Sequence, residues 1–211
     1  MNNRPDISNY LAHFTKNAWP LGSKDIGNPT NEFKKLTAYK RLLNILYSKT
    51  VFESQLPWVG NNKAVCLTEC PWTSLIGHTE RYSPYGVGFS KEFIFSKGGG
   101  PVFYIRADVY NRQQWDTNIM PFLTPFWPDY VPVELKKSVG FKTCDYSHER
   151  EWRVVGNLSF EYTDISFIVL PDNNAMAKFP KELKDNIGRD KFLLMDNYKH
   201  VEELWPVHKL N

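Results

Sequence analysis

Cysteine is scarce in this chain of 211 residues: there are three, an odd number, which excludes a framework of paired disulfides as the basis of the fold. No run approaches the roughly 18 apolar residues that a membrane-spanning helix needs. The opening "MNNRPDISNYLAHFTK" has no apolar h-region of the kind a secretory signal carries. We therefore expect a cytosolic (cytoplasmic) protein with no membrane partner. Neither sign of charge is in large excess: 26 Lys and Arg against 23 Asp and Glu leave +3. That balance suits an anionic ligand without demanding nucleic acid. Internal repeats, low-complexity tracts and a Ser/Gly linker are also lacking, so a single domain over residues 1–211 is expected.

What the chain has is a core and many rings. It is 42% hydrophobic, with 7 Trp, 11 Tyr and 14 Phe, enough for an apolar interior and for a cleft that stacks flat groups. "YLAHFTK" reads as a short strand. "NEFKKLTAYKRLLNILYSKTVFES" places Leu36, Tyr39, Leu43, Leu46 and Tyr47 at helical spacing, with Thr30 or Asn31 as the cap. "KAVCLTECP" alternates and stops at Pro71, as a strand does. "GVGFSKEFIF" and "PVFYIRADVY" read as a looped pair of strands around "SKGGG". The stretch "WDTNIMPFLTPFWPDYVPVELKKSVG" has too many prolines for a long helix and is a loop or lid candidate. "EREWRVVG" and "ISFIVLP" read as strands, and the tail as a helix ("MAKFPKELKDNIG"), a short strand and a helix. The pattern predicts an α+β fold around a mixed or mostly antiparallel sheet.

The chemistry concentrates in "CDYSHEREWRVVG". On a strand, Glu149, Glu151 and Arg153 would share one face and Arg150, Trp152 and Val154 the other. Two carboxylates roughly 7 Å apart then point to one place. One reading is a salt-bridge ladder with Arg81, Arg106 or Arg153. The other is a carboxylate that stabilises a developing positive charge, as in glycosidic-bond cleavage. His13 sits mid-strand in apolar company, where a histidine is more often a bonded core residue than a catalytic one. "YSPYGVG" offers rings and glycines for close approach to a flat ligand, or an ordinary turn. Cys66, Cys70, Cys144 and His148 give four zinc-type ligands. Their C-x3-C and C-x3-H spacing is not the usual C-x2-C knuckle, and Cys66 in an apolar strand reads as packing.

Taken in order, "HFTK", the amphipathic helix, "AVCLTECP", "YSPYGVGFSKE", "GGPVFYIR", "EREWRVV" and "ISFIVLP" resemble the AbiGi-type abortive-infection proteins of bacteria, over about residues 10 to 171. Those proteins are in turn similar to the ADP-ribosyltransferase fold, especially DNA-modifying toxins of the DarT type. That resemblance implies NAD as substrate and a nucleic-acid or protein acceptor. Glu151 would be the catalytic carboxylate on the nicotinamide ribose and Glu149 would orient the acceptor. His13, with Thr15 in a His-x-Thr, would hold the NAD ribose, and Tyr85 or Tyr82 would stack on nicotinamide. Arg81 or Arg41 would be the NAD-binding arginine. The alternation and the apolar run after it predict a central strand for Glu151, with Trp152 buried and Glu149 and Glu151 on its cleft side. His13, if it holds the same NAD, lies across that cleft within about 10 Å. AbiGi proteins have also been labelled antitoxins. The same fold would then be a non-enzymatic module that binds a cognate toxin or a phage protein.

Overall fold

The computed structural model describes residues 7–17, 36–56, 62–69, 83–135 and 143–204. Strand β1 (Tyr10–Phe14) is the expected "YLAHF". Helix α1 (Ala38–Ser48) starts where the Thr37 hydroxyl accepts from the Lys40 N–H, and it stops where Lys49 turns left-handed at φ 48°. The β-branched pair that follows then forms strand β2 (Thr50–Val51). The helix read from the sequence is thus too long at its C-terminal end. Its first residues and the cap candidates Thr30 and Asn31 lie outside the described residues. Ala38, Leu42, Ile45 and Leu46 form the inward stripe, while Tyr47 faces solvent.

Strands β3 (Ser54–Gln55), β4 (Lys63–Thr68) and β5 (Gly86–Ser90) follow. Here "GVGFSKEFIF" divides. The Ser90 hydroxyl accepts from the Phe93 N–H and Glu92 sits in the first turn, so "KEFIFS" becomes helix α2 (Lys91–Ser96) instead of continuing the strand. "PVFYIRADVY" divides likewise into β6 (Gly100–Pro101), β7 (Phe103–Arg106) and α3 (Ala107–Tyr110). The Pro-rich middle is not all loop, because Leu123–Phe126 is strand β8, paired in parallel with β7. Then come β9 (Glu151–Val155), β10 (Leu158–Ser159) and β11 (Ile165–Leu170). The expected tail helix is two, α4 (Asn173–Lys178) and α5 (Lys181–Ile187), broken at Pro180. Strand β12 (Phe192–Leu194) and helix α6 (Met195–Leu204) complete the described chain.

The main sheet runs β12-β11-β5-β1-β4-β9-β6, with β3 added beside β4, while β10–β2 and β7–β8 form separate pairs. Apart from β11–β12 and β7–β8 every pairing is antiparallel, so the architecture is the mixed, mostly antiparallel α+β one. One face of the sheet carries Leu11, Val65, Leu67, Val87, Phe89, Val154, Ile168 and Leu170 into the main core, together with the α1 stripe and Leu183 and Ile187 of α5. On the other face Ala12, Phe14 and Val169 meet Met195. Farther along that face Ala64 and Cys66 meet Leu123, Ile105 and Trp115. Contrary to expectation β9 is not central: among the described residues only the two-residue β6 lies beyond it.

Candidate functional site

The charges of "EREWR" do not all stand on one strand. Ser147–Glu149 is a 3-10 turn and Arg150 is left-handed at φ 45°, so the period-two alternation begins only at Glu151. Glu149 is buried outside the strand, and its main-chain carbonyl accepts from the Thr68 hydroxyl at 2.5 Å. Glu151 and Arg153 do share a face, and they face each other. Arg153 Nε donates to Glu151 Oε1 at 2.8 Å and Nη2 to Oε2 at 2.9 Å, a forked ion pair. Arg153 Nη1 donates to the carbonyls of Pro121 and Leu123, both at 2.8 Å, and Nη2 also donates to Thr124 Oγ1 at 2.7 Å. A guanidinium has five N–H donors. Here each of them has an acceptor.

The surroundings are low in water. Arg153 has no exposed surface and Glu151 is 8% exposed. Burial works against the Arg153 charge, but the Glu151 carboxylate outweighs it and holds the guanidinium above its ordinary pKa. Cys66, opposite Arg153 in register, has its thiol pushed well up by burial first and by the Glu151 charge next. Tyr104 accepts from the Glu151 N–H at 3.2 Å and donates to the Tyr146 carbonyl at 3.1 Å, and burial pushes its hydroxyl up to about 12. A buried pair so fully bonded holds its own geometry. Both oxygens of Glu151 already accept from Arg153.

The other expected site residues lie elsewhere. Ala12 is opposite Thr68, and Thr68 is opposite Glu151, so these three share a face. His13, one residue on from Ala12, belongs to the other face. The single cleft expected to hold His13 and Glu151 together is not formed: the sheet lies between them. The His13 ring instead bonds the Cys66 carbonyl through Nδ1 at 2.9 Å, and burial lowers its pKa. Thr15 is buried, its single hydroxyl proton shared between the Ala38 and Tyr85 carbonyls at 2.9 and 3.1 Å, so it ties the end of β1 to the start of α1. Tyr85 packs against Tyr39, ring centroids 5.7 Å apart, and burial raises its hydroxyl pKa. Gly86 and Gly88 admit the protein's own rings. A Cβ on Gly88 would stand 2.3 Å from the Phe167 ring, and one on Gly86 2.9 Å from that of Phe14. Arg81, Tyr82 and Cys70 lie outside the described residues. Arg41 Nε donates to the Leu36 carbonyl, and Arg106 pairs with Asp108. Trp152, expected buried, is partly exposed under Lys91, whose Nζ lies 5.5 Å from the ring centroid and 2.8 Å from Glu69 Oε2.

Sequence reasoning named Arg153 as one partner among three but missed Tyr104 and Thr124. Their signal is weak, since a hydroxyl that bonds a guanidinium 29 residues away, or a main-chain N–H 47 residues away, leaves no local pattern. Among the described residues no group of three or more His, Cys, Asp and Glu stands together to hold a metal, and no helix is long and apolar enough to cross a membrane.

No curated protein and no solved structure matches this chain. A family model does: the family described as "Putative abortive phage resistance protein AbiGi, antitoxin" matches residues 54–200. The match takes in β3 to β12 and thus the Glu151–Arg153 pair, while His13 and Thr15 precede it. The chain belongs to the AbiGi family of abortive phage resistance proteins.

Proposed function

We propose that this protein is the antitoxin of an abortive-infection pair, a binding module that neutralises a cognate toxin by direct contact and performs no reaction of its own. The family description supports the antitoxin role. The observation that carries the non-enzymatic part is the closure of Glu151 by Arg153. The charge pattern that suggests catalysis holds two parts of the fold together. The enzymatic alternative, NAD cleavage with transfer of ADP-ribose to a nucleic-acid or protein acceptor, would need Glu151 to leave a fully bonded guanidinium. It would also need His13 to act from the far side of the sheet. We expect the purified protein and its toxin to elute together in size-exclusion chromatography. We expect no nicotinamide to be released from NAD when single-stranded DNA, RNA or cell lysate is added. Nicotinamide release that disappears in Glu151→Gln would overturn this reading in favour of the transferase.

A further inference from the structure

Strands β6 and β9 are hydrogen-bonded neighbours, Gly100 opposite Arg153 and Pro101 opposite Trp152, yet residues 103–149 lie between them in sequence. The chain leaves the sheet at Val102, whose N–H donates to the Glu151 carbonyl at 3.0 Å, and it comes back at Glu151 itself. In between, the described residues 103–135 and 143–149 close on one another. β7 pairs with β8, Trp127 and Cys144 exchange main-chain bonds at 2.9 and 2.8 Å, and the Tyr104 hydroxyl donates to the Tyr146 carbonyl. The excursion is fastened to the sheet by Arg153, through the carbonyls of Pro121 and Leu123 and the hydroxyl of Thr124. Beside that fastening Leu123, Ile105, Tyr110 and Trp115 of the excursion pack with Leu56, Ala64 and Cys66, the Thr68 hydroxyl donates to the Glu149 carbonyl, and the Tyr104 hydroxyl accepts from the Glu151 N–H.

We propose that this excursion is a hinged lobe that opens as one unit, with Arg153 as its latch and Glu151 as the charge that holds the latch in place. Because the two ends of the lobe meet at one point of the sheet, a hinge at Val102 and Arg150 lets it swing without breaking any pairing among β1, β4, β5 and β9. Turning one guanidinium away releases three acceptors at once, and the apolar contact and the Thr68–Glu149 bond part with it. Units of this kind open locally at lower free energy than the whole fold. An open lobe uncovers the Cys66, Glu151 and Arg153 side of the sheet, which the closed form hides. This proposal goes beyond the antitoxin reading and does not rest on it.

Hydrogen exchange on the full chain, read by mass spectrometry, tests it. The amides of 103–127 and 143–149 should exchange together and faster than those of β1, β4 and β5. Arg153→Met should speed exchange of the lobe by about 100-fold or more, the effect of stranding one partner of a buried pair, with the lobe remaining the faster-exchanging unit. Thr124→Val removes one acceptor and no charge, and should speed the same residues by a smaller factor. The lobe exchanging at the rate of the sheet in the wild type would overturn the proposal. So would Thr124→Val leaving the lobe's exchange at the wild-type rate, and these two measurements decide the matter if Arg153→Met does not fold.

Discussion

Each N–H group of Arg153 reaches an acceptor, and two of those acceptors are the oxygens of Glu151. Removing one partner of a buried pair leaves the other charge stranded and costs about 3–5 kcal/mol, whereas replacing both with apolar groups of similar size is often neutral. Arg153→Met and Glu151→Leu should therefore each destabilise strongly in urea unfolding, and the double variant should recover most of the loss. Additive losses would mean that the pair is not the unit we describe. His13 gives a pH effect. Burial lowers its pKa from the ordinary 6.5, so the unfolded chain binds the proton first as pH falls. Stability is then full above pH 6.5 and declines as pH falls toward the folded-state pKa. His13→Gln should flatten that part of the curve of stability against pH. The residue types were legible in the sequence, the partners less so. "EREWR" announced paired charges, but the left-handed Arg150 that takes Glu149 off the strand leaves no mark a side-chain pattern can reveal.

At the scale of elements, the glycines of β5 are a packing device. Gly88 faces the ring of Phe167 across the β5–β11 pair, and a Cβ there would overlap it. Gly88→Ala should cost about 1–3 kcal/mol, the usual penalty of overpacking, visible as a lower thermal midpoint. Gly88→Ala combined with Phe167→Leu should restore much of it. An unchanged midpoint in the single variant would contradict the tight β5–β11 contact. The strands "YLAHF", "KAVCLT" and "ISFIVL" were legible because period-two alternation or a continuous apolar run needs no long-range information. Three other features were not. The division of "GVGFSKEF" at Ser90 depends on a cap, and the apolar residues beyond it suit helix and strand equally. The parallel β7–β8 pair depends on partners about 20 residues apart. And β9 reads as an interior strand because both its faces are covered, although among the described residues it has only β6 beyond it.

The molecule as a whole is a sheet covered by helices on one face and, on the other, by α6 and the lobe that Arg153 fastens. Family membership brings abortive phage resistance and the description antitoxin, and the geometry gives the most suggestive carboxylate of the chain a structural task. On this account the binding of a toxin needs the fold that the pair maintains and not the charge of Glu151. The most direct measurement is neutralisation of the cognate toxin, read as growth of cells that co-express it with the Glu151→Leu/Arg153→Met protein at wild-type soluble level. The account predicts rescue equal to that by the wild type. A double variant that folds with undiminished stability and still fails to neutralise would contradict it, and would return Glu151 to the working part of the molecule.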